Sequence, residues 1–283
     1  LEAARLAKAD QASELVREFT ELEGHIGGEY ARLAGYPEAV SAAIDEQYLP
    51  DGADAPLPQT ETGRVLSAAD KIDTLNVAFG LGQRPTGSRD PYGLRRAAIG
   101  LDRLAIEGSL SIPRELMDPE VAEFVEERFE GLLEAPVEYV RAARRASVRD
   151  LGGVARLAQA LADLPEERFA PIHTAYIRAS RLGEKEGGAA AQLDPALLIE
   201  EAEVEVAQAL ERVDSEIAAA LDAGDFAAAV ESAAELGPLL DRFFEDVLVV
   251  AEDRAVRANR LRLLLNVRDT LGRLGELSQI PRG

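Results

Sequence analysis

Apolar residues recur at spacings of three and four along almost the whole chain, as in Leu15, Phe19, Leu22 and Ile26, which is the rhythm of one helix face. No strand-length run with convincing alternation interrupts it, and no fixed-period repeat is evident. Such a chain folds as packed helices, and the expected class is all-α. Composition agrees: 47% of the 283 residues are hydrophobic but only 5% are aromatic and Trp is absent, so burial rests on Ala, Leu, Val and Ile. The length is enough for about two folding units.

Several classes of chemistry drop out. Without cysteine there are no disulfides, no thiolate catalysis and no Cys-based zinc site, which fits a reducing cytoplasm. No apolar stretch approaches the roughly 18 to 20 residues that cross a bilayer, and the first residues lack a signal-peptide pattern, so the expectation is a soluble, intracellular protein without membrane contact. Leu1-Glu2 already reads as helix and no initiator Met precedes it, which predicts a longer parent protein. No glycine loop with Lys and Ser or Thr at phosphate-binding spacing occurs. His25 and His173 have no neighbouring nucleophile signature and read as ordinary surface or half-buried residues, while paired carboxylates are too plentiful to inform. No complete catalytic set is expected.

The formal net charge is -21, with 52 acidic against 31 basic residues, and at long range this repels polyanions. The average hides local reversals. Arg84, Arg89, Arg95, Arg96 and Arg103 cluster, as do Arg141, Arg144, Arg145 and Arg149, and again Arg254, Arg257, Arg260, Arg262 and Arg268. Basic faces on an acidic body follow.

Breaks divide the chain into three expected parts. The first, 1–108, contains a helix after Pro37, a loop over Pro50–Gly63, a helix from Arg64 to about Phe79, and a second irregular segment, Gly80–Pro91, in which Ser88 and Asp90 are candidate caps. The second, 109–164, is a smaller helical linker with Asp118-Pro119 starting a helix and Gly152-Gly153 breaking it. The third, 165–283, is interrupted by a Gly- and charge-rich stretch at Gly183–Gln192 that is expected to be mobile. Asp194-Pro195 then starts a long helix with the inward stripe Ile199, Ala202, Val206, Ala209, Val213, Ile217 and Ala220. Gly224 ends it, Asp225 caps the next, and Phe243, Phe244, Val247 and Leu248 begin a packed segment.

A specific likeness runs through Arg17-Glu18-Phe19-Thr20-Glu21-Leu22-Glu23-Gly24, Ala69-Asp70-Lys71-Ile72-Asp73-Thr74-Leu75, and Pro85-Thr86-Gly87-Ser88-Arg89-Asp90-Pro91-Tyr92-Gly93-Leu94-Arg95-Arg96. It resumes at Phe243-Phe244-Glu245-Asp246-Val247-Leu248-Val249-Val250-Ala251-Glu252-Asp253 and Arg257-Ala258-Asn259-Arg260-Leu261. In this order the segments resemble the beta subunit of bacterial glycyl-tRNA synthetase. The resemblance implies an HD-like helical domain at 1–108, a helical linker at 109–164, and at 165–283 a helical bundle similar to the anticodon-binding domain of arginyl-tRNA synthetase. It further implies tRNA(Gly) and the alpha subunit as partners. ATP and Mg belong to that alpha subunit, no cofactor belongs to this piece, and the piece does not aminoacylate alone.

HD domains hold metal through a separated His, a His-Asp pair and a later Asp. Here Ala9-Asp10 stands where the pair is expected, Asp70 resembles the closing Asp, and Gln47 stands where relatives often have His, so no metal is expected at these degenerate positions. Leu248 and Val250 replace frequent Met residues, which reads as mild repacking.

For RNA, Arg84, Thr86, Ser88, Arg89, Arg95 and Arg96 are the candidates for the acceptor arm, because guanidinium groups neutralise phosphate and release counterions. Arg254, Arg257, Asn259, Arg260 and Arg262 are the anticodon candidates, since unstacked bases are read on their edges. Arg141, Arg144, Arg145 and Arg149 are the candidates for a further phosphate rail. Beside these stand plainer readings: Asp90 caps a helix and pairs with Arg89 or Arg95, the terminal arginines pair with Glu252 and Asp253, and the whole chain is a helical module that bridges subunits without touching RNA.

Overall fold

A computed structural model describes residues 1–186 and 188–281, and among them the chain forms fifteen α-helices and no strand. Its packing divides into two compact units, Leu1–Leu132 with Arg149–Gly152, and Leu133–Val148 with Gly153–Gly283. Residues 109–164, expected as a linker, are thereby shared between the two.

Unit 1 contains α1 (Glu2–Leu6), α2 (Glu14–Glu18), α3 (His25–Leu33), α4 (Glu38–Glu46), α5 (Glu61–Gly80), α6 (Leu94–Ile106), α7 (Pro119–Glu126) and α8 (Phe129–Leu132). Ala3, Ala7, Ala31, Ala43, Ile44 and Leu66 form one buried cluster. Side chains this small let the helices approach closely, and Gly27 and Gly28 on α3 extend the principle. A Cβ on Gly27 would lie 2.8 Å from Cγ2 of Ile44, and one on Gly28 2.9 Å from the Ser41 carbonyl oxygen, so α3 seats on α4 only with glycine there.

The loop after Pro50 ends sooner than expected, because Thr60 caps α5 by accepting the Gly63 N–H at 3.0 Å. Gly63 lies inside the helix. A Cβ there would meet a Glu46 carboxylate oxygen at 2.1 Å, so this glycine marks a contact and not a break. Arg103 also faces inward: it donates to the carbonyls of Gly52 and Ala55 at 3.1 and 2.6 Å and pairs with Glu107 at 2.7 Å. One cation of the first cluster therefore holds the Pro50 loop.

Unit 2 contains α9 (Val137–Ala143), most of α10 (Leu151–Asp163), α11 (Glu166–Glu186), α12 (Glu201–Ala223), α13 (Phe226–Ala234), α14 (Gly237–Asp246) and α15 (Arg254–Gly272). Its core includes Phe169, Ile172, Leu240, Phe243, Leu263 and Leu264. Gly152 and Gly153 do not break the chain; they lie buried in the first turn of α10, where small residues permit close packing. Helix α11 likewise continues through Gly183, and the Ala190 N–H beyond it donates to the Ala258 carbonyl at 3.0 Å. Gly187, within the segment expected to be mobile, lies outside the described residues.

Helix α12 starts later than Asp194-Pro195 predicts. Asp194 caps only the short turn Pro195–Leu197, and the helix begins at a capping box in which the Glu200 and Glu203 side chains each accept the other's backbone N–H. Ala202, Val206, Val213 and Ile217 are buried as the stripe requires, Ala209 and Ala220 are half-buried, and Ile199 is exposed. Ile199 precedes the helix, so helical phase does not govern it. Gly224 ends α12 in the left-handed region at φ 74°, and Asp225 caps α13. Among the described residues, no helix is long and apolar enough to cross a membrane.

Candidate nucleic-acid interface

The segment between α5 and α6 folds on itself. Thr86 and Arg89 exchange backbone hydrogen bonds at 3.1 and 2.9 Å, and the Asp90 carboxylate accepts the N–H groups of Leu94 and Arg95 at 2.8 and 2.9 Å. Asp90 thus caps α6 from ahead of its N-cap Gly93, and Ser88 takes no part in the capping. Arg95 Nη2 donates to the Gly87 carbonyl at 2.7 Å, which commits this guanidinium to bracing its own loop. Arg84 pairs with Glu120, and Arg96 with Asp51 at 3.2 Å. Both pairs are exposed, and an exposed pair is weak enough for a phosphate to replace the carboxylate. Arg89 stands exposed, and among the described residues no carboxylate pairs with it. Thr86 and Ser88 are exposed beside it.

Arg96 also borders a cleft of about 770 Å³ lined by Lys8, Tyr48, Asp51, Asp70, Lys71 and Tyr92 among others. The two degenerate HD aspartates have different tasks near it. Asp10 is buried, and its Oδ2 accepts the N–H groups of Gly24 and Gly27 at 2.7 and 3.1 Å, fixing the start of α3. Asp70 holds the Lys8 ammonium at 2.7 Å, and buried Gln47 donates to the carbonyls of Ala7 and Ile44. Among the described residues, no group of three or more His, Asp or Glu side chains is placed to hold a metal ion.

Lys71, from the Ala69–Leu75 segment, is the residue that the sequence reading passed over here. Its ammonium donates to the carbonyls of Tyr48 and Leu49 at 3.1 and 3.2 Å and to Ser67 Oγ at 2.8 Å. Burial pushes its pKa down to about 8, and the Asp70 and Asp51 carboxylates recover only part of that loss. Its position four residues after Ser67 on one helix was the available signal.

In unit 2 the anticodon candidates separate. Asp253 caps α15 by accepting the N–H groups of Ala255 and Val256. In the turns that follow, Arg254 is exposed and Arg257 half-buried, and among the described residues neither has a carboxylate partner. Asn259 and Arg260 both face inward. Asn259 is fully buried, its Oδ1 accepting the Asp194 N–H at 2.7 Å and its Nδ2 donating to the Asp194 carbonyl at 3.0 Å. Arg260 is 6% exposed; its guanidinium pairs with Glu203, itself fully buried, at 2.9 Å and donates to the Leu248 carbonyl at 2.8 Å. Arg262 is half-buried and donates to the Ala190 carbonyl at 2.6 Å.

Burial by itself would raise the Glu203 pKa. The Arg260 guanidinium and the N–H groups of Glu200 and Ile199 outweigh it and bring the carboxyl below its ordinary range. The spacing of Glu203 from Glu200 is that of a capping box. Leu248 and Val250 are exposed, so they are not the packed core residues that the sequence suggests.

The expected rail also divides. Arg141, Arg144 and Arg145 belong to unit 2, where each already has a contact, while Arg149 belongs to unit 1, where its carbonyl accepts the Arg114 N–H at 2.8 Å. His25 lies at the surface, 3.1 Å from Asp45, and His173 is buried with Nε2 2.9 Å from the Ile280 carbonyl.

Residues 1–162 match the family described as glycyl-tRNA synthetase beta subunit, and residues 172–281 match the DALR anticodon binding domain. The chain is 39% identical to a glycine–tRNA ligase beta subunit of Leptothrix cholodnii, over 99% of this chain and 42% of the relative. It is 37% identical to that of Solidesulfovibrio magneticus, over 99% and 44%, and 40% identical to that of a Nitratidesulfovibrio vulgaris strain, over 98% and 44%. The chain therefore spans a little over two fifths of the length of the curated relatives it matches. The chain belongs to the glycyl-tRNA synthetase beta subunit family.

Proposed function

We propose that this chain is the tRNA-gripping part of a glycine–tRNA ligase beta subunit, working in the cytoplasm. It holds tRNA(Gly) while the alpha subunit, with ATP and Mg, activates and attaches glycine. The observation that carries this reading is electrostatic. In a chain of net charge -21, Arg254 and Arg257 have no carboxylate partner among the described residues, inside the residues that match an anticodon-binding domain. Guanidinium groups left unpaired amid an excess of carboxylates are available to phosphate. Arg89, with the exchangeable pairs at Arg84 and Arg96, offers unit 1 a second contact, which we assign to the acceptor arm. Ala9 stands in place of the His of the HD pair and Gln47 in place of another His, so unit 1 serves as a scaffold.

The test is a titration of the chain with a tRNA transcript carrying a glycine anticodon at several salt concentrations. Affinity is expected to fall steeply with salt, and charge reversal at Arg254 and Arg257 to flatten that dependence by about one unit of log–log slope per lost phosphate contact. Absence of salt-sensitive binding refutes the proposal. Binding that charge reversal at Arg89, Arg96, Arg254 and Arg257 leaves untouched would favour a subunit-bridging module instead.

A further inference from the structure

Lys8 stands in the short stretch between α1 and α2, two residues before Asp10, and lines the cleft of about 770 Å³ in unit 1. Its ammonium lies 2.7 Å from Asp70 Oδ1, donates to the Tyr48 hydroxyl at 2.9 Å and sits over the Tyr48 ring, 4.1 Å from its centre. The Tyr48 hydroxyl donates in turn to the Glu23 carboxylate, which also accepts from the Gln11 amide. One positive charge thus meets a carboxylate, an aromatic face, and a phenolic oxygen backed by a second carboxylate. The three come from different segments: Asp70 from α5, Tyr48 from the chain after α4, Glu23 from the chain before α3.

Carboxylates and a hydroxyl converging on one point are the oxygen ligands that a hard divalent cation takes. The residues at the degenerate HD positions do not leave that point open. Asp70 is held by Lys8, Asp10 Oδ2 accepts the Gly24 and Gly27 N–H groups, and the Gln47 amide donates to the Ala7 and Ile44 carbonyls. A second ammonium, Lys71, lines the same cleft and interacts electrostatically with both Asp70 and Lys8. A metal ion brought to Asp70 would therefore meet two like charges.

We infer that the Lys8 ammonium is a built-in replacement for a divalent cation at Asp70, joining the segments that an ion would otherwise join and closing this position to metal. A lysine suits the task, because its ammonium is a compact point charge with three donors. Its tether to the chain removes any need for metal in solution. This role belongs to unit 1 whether or not the chain grips tRNA.

The experiment follows thermal unfolding of the full chain, stripped with chelator, with and without millimolar Mn²⁺, and counts bound Mn²⁺ by electron paramagnetic resonance. An acidic chain gains something from any divalent ion, so each variant is read against the parent in the same buffer. Lys8→Met keeps the apolar stem and removes the charge at a side chain that is 42% exposed, so the fold persists. Its melting temperature is expected about 2–4 °C below that of the parent. Mn²⁺ is expected to recover part of this difference, and the variant to retain more Mn²⁺ than the parent does. Adding Asp70→Asn is expected to abolish both gains. Lys8→Arg, which keeps a cation, is expected to respond to Mn²⁺ as the parent does.

A parent chain that binds Mn²⁺ in a manner lost in Asp70→Asn overturns the inference, since the position is then open. A Lys8→Met chain that melts with the parent overturns it as well. So does one that melts lower yet takes up no additional Mn²⁺, because Lys8 is then an ordinary ion-pair partner and not a substitute for an ion.

Discussion

Each unit buries a cation on a long helix and uses it to grip the carbonyl of a segment leaving another helix, but the two cations are neutralised differently. Lys71 on α5 holds the Tyr48 and Leu49 carbonyls and the Ser67 hydroxyl, all uncharged. Arg260 on α15 holds the Leu248 carbonyl and a buried carboxylate. An ammonium among neutral dipoles can lose its proton, and burial has moved Lys71 to about 8. A guanidinium stays charged at any pH where proteins fold, so its burial needs a counter-charge. Unit 1 therefore carries a brace whose charge depends on pH, and unit 2 a brace fixed in its ionised form.

The largest expected effect breaks the second brace. Arg260→Ala leaves Glu203 buried without its partner and is expected to cost about 3–5 kcal/mol, read from the urea midpoint of the full chain. Replacing both partners, Glu203→Leu with Arg260→Met, is expected to recover most of that loss, because two apolar groups have no charge to desolvate. An equal loss in the double variant would mean that the tether to Leu248, and not the unpaired charge, carries the energy. Lys71→Met should cost less, about 1–3 kcal/mol at neutral pH, since only uncharged acceptors are stranded.

The pH response sharpens the contrast further. Between about 8 and the ordinary lysine value of 10.5, the unfolded chain binds a proton at Lys71 that the folded chain has released. Stability at this site therefore rises with pH from 8 upward and is lost as pH falls through 8, with a slope on the order of 1 kcal/mol per pH unit. Tyr48 sets the upper limit: burial and its hydrogen bond to Glu23 raise its pKa, so stability falls again above 10. Urea unfolding between pH 8 and 10 should show this rise in the parent chain and not in Lys71→Met. A rise that survives in Lys71→Met would remove the pH-dependent brace from unit 1. Smallest of all, Glu120→Gln breaks only the exposed pair with Arg84 and is expected to cost less than about 1 kcal/mol. It should strengthen salt-sensitive tRNA binding by leaving Arg84 unpaired, and weakened binding would mean that Glu120 orders the loop for contact.

Much of the fold was legible residue by residue. Gly224 followed by Asp225 reads as a stop and a cap because a left-handed turn and an N-cap are local preferences, and both occur where the spacing puts them. Asp90 as a cap was legible for the same reason. Gly63, Gly152 and Gly183 misled, since a glycine that ends a helix and a glycine that admits a neighbour look alike in sequence. Ile199 was read as part of a helical stripe, while the capping pair Glu200 and Glu203 starts the helix just beyond it.

Sequence alone determined the helical class, the main turns and the family likeness, because period, capping chemistry and ordered motifs are written in neighbouring residues. It could not determine which arginines of α15 meet water. Arg254, Arg257, Arg260 and Arg262 look equivalent in the chain, yet only Arg260 turns toward a carboxylate 57 residues away. A charge is buried or free according to the partner that another helix supplies, and that partner exists only once the helices have packed.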